Sequence, residues 1–202
     1  MAKRGRPAHF DRDQALHRAM EVFWAQGYEG TTLENLQAAM GGLSPPSFYN
    51  AFGSKEELFR EVVNLYVATI GDPAVQALTR EDRPVRAALE AMLRLTAESF
   101  SEPGKPHGCM LVLGAVNCAP ANRGVQAYLQ AIRQRAPKVI RQRLVRAVEQ
   151  GQLSPGLDLD RIAAFYATVI HGLAVRSGDG VPRAALMAAV EGAMAAWEPL
   201  TR

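Results

Sequence analysis

The side chains that stand out in this 202-residue sequence suit hydrogen bonding to anions and base edges rather than covalent chemistry. Ser47, Tyr49 and Asn50 fall within Ser44-Pro45-Pro46-Ser47-Phe48-Tyr49-Asn50-Ala51-Phe52. On a helix capped by Ser44, with proline tolerated in its first turn, Phe48 and Phe52 lie four apart and face inward. Ser47, Tyr49 and Asn50 are then left on the outer side. An exposed Asn can pair bidentately with adenine, and a Ser hydroxyl can reach either kind of base edge. Thr32 stands at another helix start, where a hydroxyl and free amides together suit a phosphate. Arg4 and Arg6, within Lys3-Arg4-Gly5-Arg6-Pro7, make a cationic arm of the kind that enters a minor groove. No nucleophile–base pair, carboxylate dyad, phosphate loop or metal-ligand spacing is present, which disfavours an enzyme and leaves no expected metal or cofactor.

The elements that must position these groups are helices. Asp11 is placed to cap a helix over 11–26, with Leu16, Ala19, Met20 and Phe23 at helical spacing and Gly27 as its stop. Thr31 or Thr32 can cap a second helix, and Glu34 stands three residues beyond Thr31 as in a capping box. Leu33, Leu36 and Met40 form its apolar stripe, and Gly41-Gly42 ends it. The third helix is the one carrying Asn50. Two short helices joined by a Gly-rich turn predict a helix-turn-helix, whose second helix enters the major groove of DNA. A long helix follows from Lys55 to about Ile70. Further helices are predicted over about 84–101, 109–118, 123–150, 160–177 and 182–197, with Pro137 expected to kink or split the longest. The fold class is all-α with nine helices, and no repeat is evident.

Composition agrees with this class. Hydrophobic residues make up 48% and charged residues 21%, with a net charge of +3. In residues 1–60 seven Lys and Arg meet seven Asp and Glu, so the local positive excess sits in the arm. Arg133, Arg135, Lys138, Arg141, Arg143 and Arg146 form a second basic run, either a solvated helix face or another phosphate-facing surface. No apolar run is long enough to span a membrane, and none follows the basic N-terminus as a secretory signal requires. Two cysteines make no disulfide framework, so the cytoplasm is the expected compartment.

At residues 8–65 the sequence resembles the TetR family of bacterial one-component transcriptional regulators. The resemblance is carried by Phe23 with Gly27-Tyr28, by Thr31-Thr32-Leu33, and by Ser47-Phe48-Tyr49-Asn50-Ala51-Phe52 followed by Gly53-Ser54-Lys55-Glu56-Glu57-Leu58. It implies an all-helical homodimer whose N-terminal domains bind a palindromic operator and whose C-terminal domains bind an effector. The divisions expected are an arm at 1–7, a DNA-binding domain at 8–68, and an effector-binding and dimerisation domain at 69–202. The resemblance also implies that Tyr49 and Lys55 clamp backbone phosphates, leaving Ser47 and Asn50 for bases. Gly41-Gly42-Leu43 departs from the family pattern by one extra residue, which two glycines can absorb.

In the C-terminal bundle a pocket is expected among Met92, Leu95, Phe100, Cys109, Val112, Val116, Tyr128, Phe165, Tyr166 and Val169. If Cys109 and Cys118 shared one helix they would lie roughly 13 Å apart, beyond the ~7 Å that a disulfide spans. Cys109 at a helix start is either a small buried hydrophobe or a thiol made reactive by the helix dipole. Ile170, Ala174, Leu186, Val190, Ala193 and Trp197 lie on two helices that are apolar on more than one side, and they are the expected homodimer seam. The expected partners are double-stranded operator DNA, a small-molecule or electrophile effector, and a second copy. The expected activity is that of a repressor released from DNA by its effector. An architectural DNA-binding protein that senses nothing, or a helical-bundle enzyme, are the alternatives.

Overall fold

A computed structural model describes residues 10–202, and Arg4 and Arg6 of the expected arm lie outside the described residues. The described residues are helical with no strand. The first unit is α1 (Arg12–Gly30), α2 (Leu33–Ala39), α3 (Pro45–Phe52) and α4 (Lys55–Tyr66). The larger bundle contains α5 (Asp72–Thr79), α6 (Val85–Phe100), α7 (Met110–Leu113), α8 (Arg123–Arg133) and α9 (Arg135–Glu149). It is completed by α10 (Leu159–Gly178), α11 (Arg183–Ala195) and α12 (Trp197–Leu200). Backbone dihedrals stay helical where α4 meets α5, where α8 meets α9 and where α11 meets α12. Joined across those breaks, the described segments make nine rods.

Each helix of the first unit starts on a side-chain oxygen. Asp11 accepts from the Gln14 amide at 3.0 Å, Ser44 from that of Ser47 at 3.4 Å, and Ser54 from that of Glu57 at 3.1 Å. The second helix departs from expectation by one register. Thr32 is its cap, and the reciprocal partner is Asn35 rather than Glu34. Thr31 is instead buried and donates its hydroxyl to the Gly27 carbonyl at 2.6 Å. Gly27 breaks α1 with φ of 70°, as its placement implied. Gly41 and Gly42 both take positive φ, 88° and 78°, so the longer turn is accommodated where only glycine is unstrained.

Three other differences are local. The segment 71–83, which opens with Gly71-Asp72-Pro73, contains α5, with Pro73 in its first turn. A π-helical stretch, Val67–Gly71, bridges α4 to α5. The long helix splits at Gln134, ahead of Pro137, because proline at that position can neither donate to the Arg133 carbonyl nor clear it. Only Met110–Leu113 of the expected 109–118 helix is α-helical.

The first unit is sewn to the bundle through α7 and its flanks. The Tyr28 amide donates to the Gly114 carbonyl at 2.7 Å. Trp24 donates from Nε1 to the Gly108 carbonyl at 3.1 Å and packs edge-on against Tyr66 at 5.0 Å. Glu29 accepts from the Ala119 amide at 2.7 Å and from Asn122 Nδ2 at 2.9 Å. Among the described residues no helix is long and apolar enough to cross a membrane.

Candidate functional site

The outer face of α3 is built as the spacing of its aromatic residues required. Phe48 and Phe52 are buried, and the ring of Phe10 meets Phe52 edge-on at 6.2 Å. Arg12 locks the rear of α3: its guanidinium lies 4.8 Å from the Phe52 ring centre, bonds the Ala51 carbonyl, and pairs with Glu61 at 2.8 Å. On the free side Ser47, Tyr49 and Asn50 are all exposed, Tyr49 by 52%. Ser44 and Ser47 share a hydroxyl–hydroxyl bond of 2.9 Å, which ties the helix start to its first outward side chain.

Two of the expected phosphate groups are otherwise engaged. The Thr32 hydroxyl donates to Asn35 Oδ1 at 2.8 Å and accepts from the Asn35 amide at 3.1 Å, so it is committed to the cap. Lys55 is half-buried, with its ammonium 4.2 Å from the Tyr28 ring centre. Burial lowers the Lys55 pKa, and the nearby Glu29 carboxylate opposes that shift.

A second feature is a cavity of about 510 Å³ inside the bundle, bounded by α4, the π-helical stretch, α5, α6, α9 and α10. Of the expected pocket residues it takes Met92, Leu95, Phe100 and Cys109. The others are elsewhere. Val116 is exposed beyond α7, and Val112 is half-buried without reaching the cavity. Tyr128 carries the Arg60 guanidinium 4.4 Å from its ring centre. Tyr166 is core, its hydroxyl donating to the Ala193 carbonyl at 3.3 Å and burial pushing its pKa up to about 12. Phe165 and Val169 line a shallow groove between α10 and α11. Helical periodicity marks an apolar side but not which neighbouring helix it meets, and these six residues fell on that ambiguity.

Tyr66, within the helix predicted from Lys55 to about Ile70, also lines the cavity, which the sequence reading did not mark. A tyrosine at helical spacing from Leu58 and Val62 was the available signal. Burial pushes the Tyr66 hydroxyl well above its ordinary range. Cys109 is also buried, and that burial raises its pKa. Of the two readings of Cys109, the small buried hydrophobe is the one that this setting favours: α7 spans only four residues, and desolvation disfavours the thiolate. Cys118, half-buried beside Glu29, is raised too, by burial first and then by that carboxylate.

The expected dimer seam is likewise corrected. Ala174, Leu186, Val190, Ala193 and Trp197 are buried within the single chain, and Ile170 borders the cavity. The larger apolar side of each helix went to the core. What remains outward is a face of small residues, Gly172, Ala185, Ala189 and Gly192, with Val175 exposed beside it.

Comparison with known proteins gives a consistent result. Residues 15–62 match a model described as "Bacterial regulatory proteins, tetR family", and residues 84–190 match one described as "Tetracyclin repressor-like, C-terminal domain". The transcriptional repressor ComR of Escherichia coli is 29% identical, over 98% of this chain and 94% of that protein. The repressor BdcR of the same organism is 32% identical, over 87% and 83%. A cysteine mutant of the regulator CifR, solved in complex with 26-base-pair operator DNA, superposes with a TM-score of 0.90. It is 42% identical, with coverage of 95% of this chain and 100% of that one.

Proposed function

Since this chain belongs to the TetR family of bacterial transcriptional regulators, which are DNA-binding proteins and not enzymes, we propose that it is a repressor binding a palindromic operator as a homodimer. The observation that carries the reading is α3, whose polar side chains Ser47, Tyr49 and Asn50 face outward while Phe48, Phe52 and Arg12 anchor its back. In this reading Asn50 and Ser47 meet base edges, and Tyr49, with Ser44 and the α2 start at Thr32, meets phosphates. Arg4 and Arg6 add minor-groove contacts. Lys55 reaches phosphate only by leaving the Tyr28 ring. The divisions at 1–7, 8–68 and 69–202 follow these roles, and the site of action is the cytoplasm.

The groove and small-residue face of α10 and α11 support the homodimer, because small side chains let two copies bring four helices close together. The cavity supports an effector, a small molecule or an electrophile reaching Cys109, which shifts the two reader helices away from the 34–36 Å spacing of one DNA turn. An architectural role without a ligand is less well supported, since a cavity of this volume is in the range of small-molecule sites.

Selection of binding sequences from a random duplex library tests the reading. The expected product is an inverted repeat bound in the nanomolar range and competed poorly by random DNA. Recovery of no enriched sequence overturns it.

A further inference from the structure

One residue of the cavity wall, Tyr66, carries a buried polar group. Tyr66 is 1% exposed, and among the described residues its hydroxyl meets no partner with good hydrogen-bond geometry. It lies beside the Cys109 thiol and the Met110 backbone, yet closes a bond of good geometry with neither. The other deeply buried tyrosine, Tyr166, is satisfied by a carbonyl. A buried hydroxyl without a partner is costly, and folded chains leave few of them.

The rest of the wall narrows what could satisfy it. Ile70, Leu78, Met92, Phe100, Leu111 and Val139 make it largely apolar. Every charged residue at its edge is already paired, Glu98 with Arg183 at 2.9 Å and Glu102 with Lys105 at 2.9 Å. An anionic or cationic ligand would lose its hydration there and find, among the described lining residues, only charges that are already paired. The volume of about 510 Å³ admits up to about 17 non-hydrogen atoms at the ~30 Å³ share of a water molecule.

We propose that the cavity takes an uncharged, mostly apolar molecule carrying one hydrogen-bond acceptor, a ketone, ester or ether oxygen, which receives the Tyr66 hydroxyl. This rests on the reading of the chain as an effector-responsive regulator. Tyr66 is the last residue of α4, the helix that begins three residues after the reader helix ends. Its ring bears on Trp24 of α1, and the π-helical stretch that follows forms cavity wall through Thr69, Ile70 and Gly71. A ligand held at Tyr66 therefore bears directly on both helices that carry the reader. π-helical turns inside longer helices recur at functional sites because the extra residue can be redistributed.

Calorimetric titration of the full chain, without DNA, tests this with 2-octanone and octanoate as probes. The expected result is that 2-octanone binds and octanoate binds at least tenfold more weakly. Tyr66→Phe, which removes one oxygen and keeps the ring, weakens the ketone about fivefold, the value of one neutral hydrogen bond. Ala74→Trp, which fills the cavity from α5, abolishes ketone binding; melting curves check that both variants are folded. Failure of 2-octanone to bind, octanoate binding as tightly as the ketone, or a Tyr66→Phe affinity equal to the parent's overturns the proposal. Operator binding is measured separately. If operator binds and the ketone does not, only the ligand class fails; if the ketone binds through Tyr66 and no operator is found, only the regulator reading fails.

Discussion

Trp24→Phe is the most direct probe of the joint between reader and bundle. Trp24 is nearly buried, and its Nε1–H is the donor to the Gly108 carbonyl at 3.1 Å, across 84 residues of sequence. Phenylalanine keeps a ring in the site but cannot donate. Leaving that buried carbonyl unpaired costs about 1–3 kcal/mol, and the smaller ring forfeits about 1 kcal/mol of packing, including part of the edge-on contact with Tyr66. The expected loss is about 2–4 kcal/mol, equivalent to a Tm drop of about 4–16 °C for a chain of this size. Urea denaturation at fixed protein concentration, followed by circular dichroism, measures it. The substitution also frees the α7 flank from α1, so operator affinity becomes less sensitive to a bound cavity ligand. A loss below about 0.5 kcal/mol would show that the joint is held by the Tyr28–Gly114 backbone bond and the Glu29 contacts instead, and the reasoning would be wrong.

Asn50→Ala is expected to weaken the selected operator by about 1–3 kcal/mol while leaving random DNA unaffected; an equal loss on both, measured by anisotropy, makes Asn50 a backbone contact. Val169→Arg, in the groove between α10 and α11, should yield monomers in sedimentation and abolish operator binding, and intact dimers would move the interface elsewhere. Trp197→Glu is expected instead to destabilise the single subunit, since Trp197 is buried against Tyr166, and a lowered urea midpoint checks it. Iodoacetamide should label Cys118 ahead of Cys109, because burial shields Cys109 and raises its pKa; mass spectrometry showing the reverse order restores Cys109 as the reactive thiol. Burial also raises Tyr66 and Tyr166, so the folded chain keeps protons that the unfolded chain releases near pH 10. Stability is therefore full below the unfolded pKa values and falls as pH rises through them, and a urea midpoint that stays flat between pH 8.5 and about 11 contradicts this.

Whatever depends on neighbours within about four residues is written in the amino-acid order. The caps at Asp11, Ser44 and Ser54, the stop at Gly27 and the inward pair Phe48 and Phe52 are settled by local hydrogen bonds and by a 3.6-residue period. That is why the reader helix and its outward Ser47, Tyr49 and Asn50 are legible from residue types and spacing alone. Even there, choosing Asn35 over Glu34 as the partner of the second cap requires knowing that Thr31 turns inward to Gly27. The bundle is legible as helices but not as surfaces. Helices α10 and α11 are apolar on two sides, and no period tells a core side from a side reserved for a second copy. Contacts with α6 and α9, distant in sequence, gave the larger side chains to the core and left the small ones outside. The same holds for Tyr66 and Cys109. Their types are visible in the sequence, but burial sets their chemistry, and burial is decided by which helices close over them.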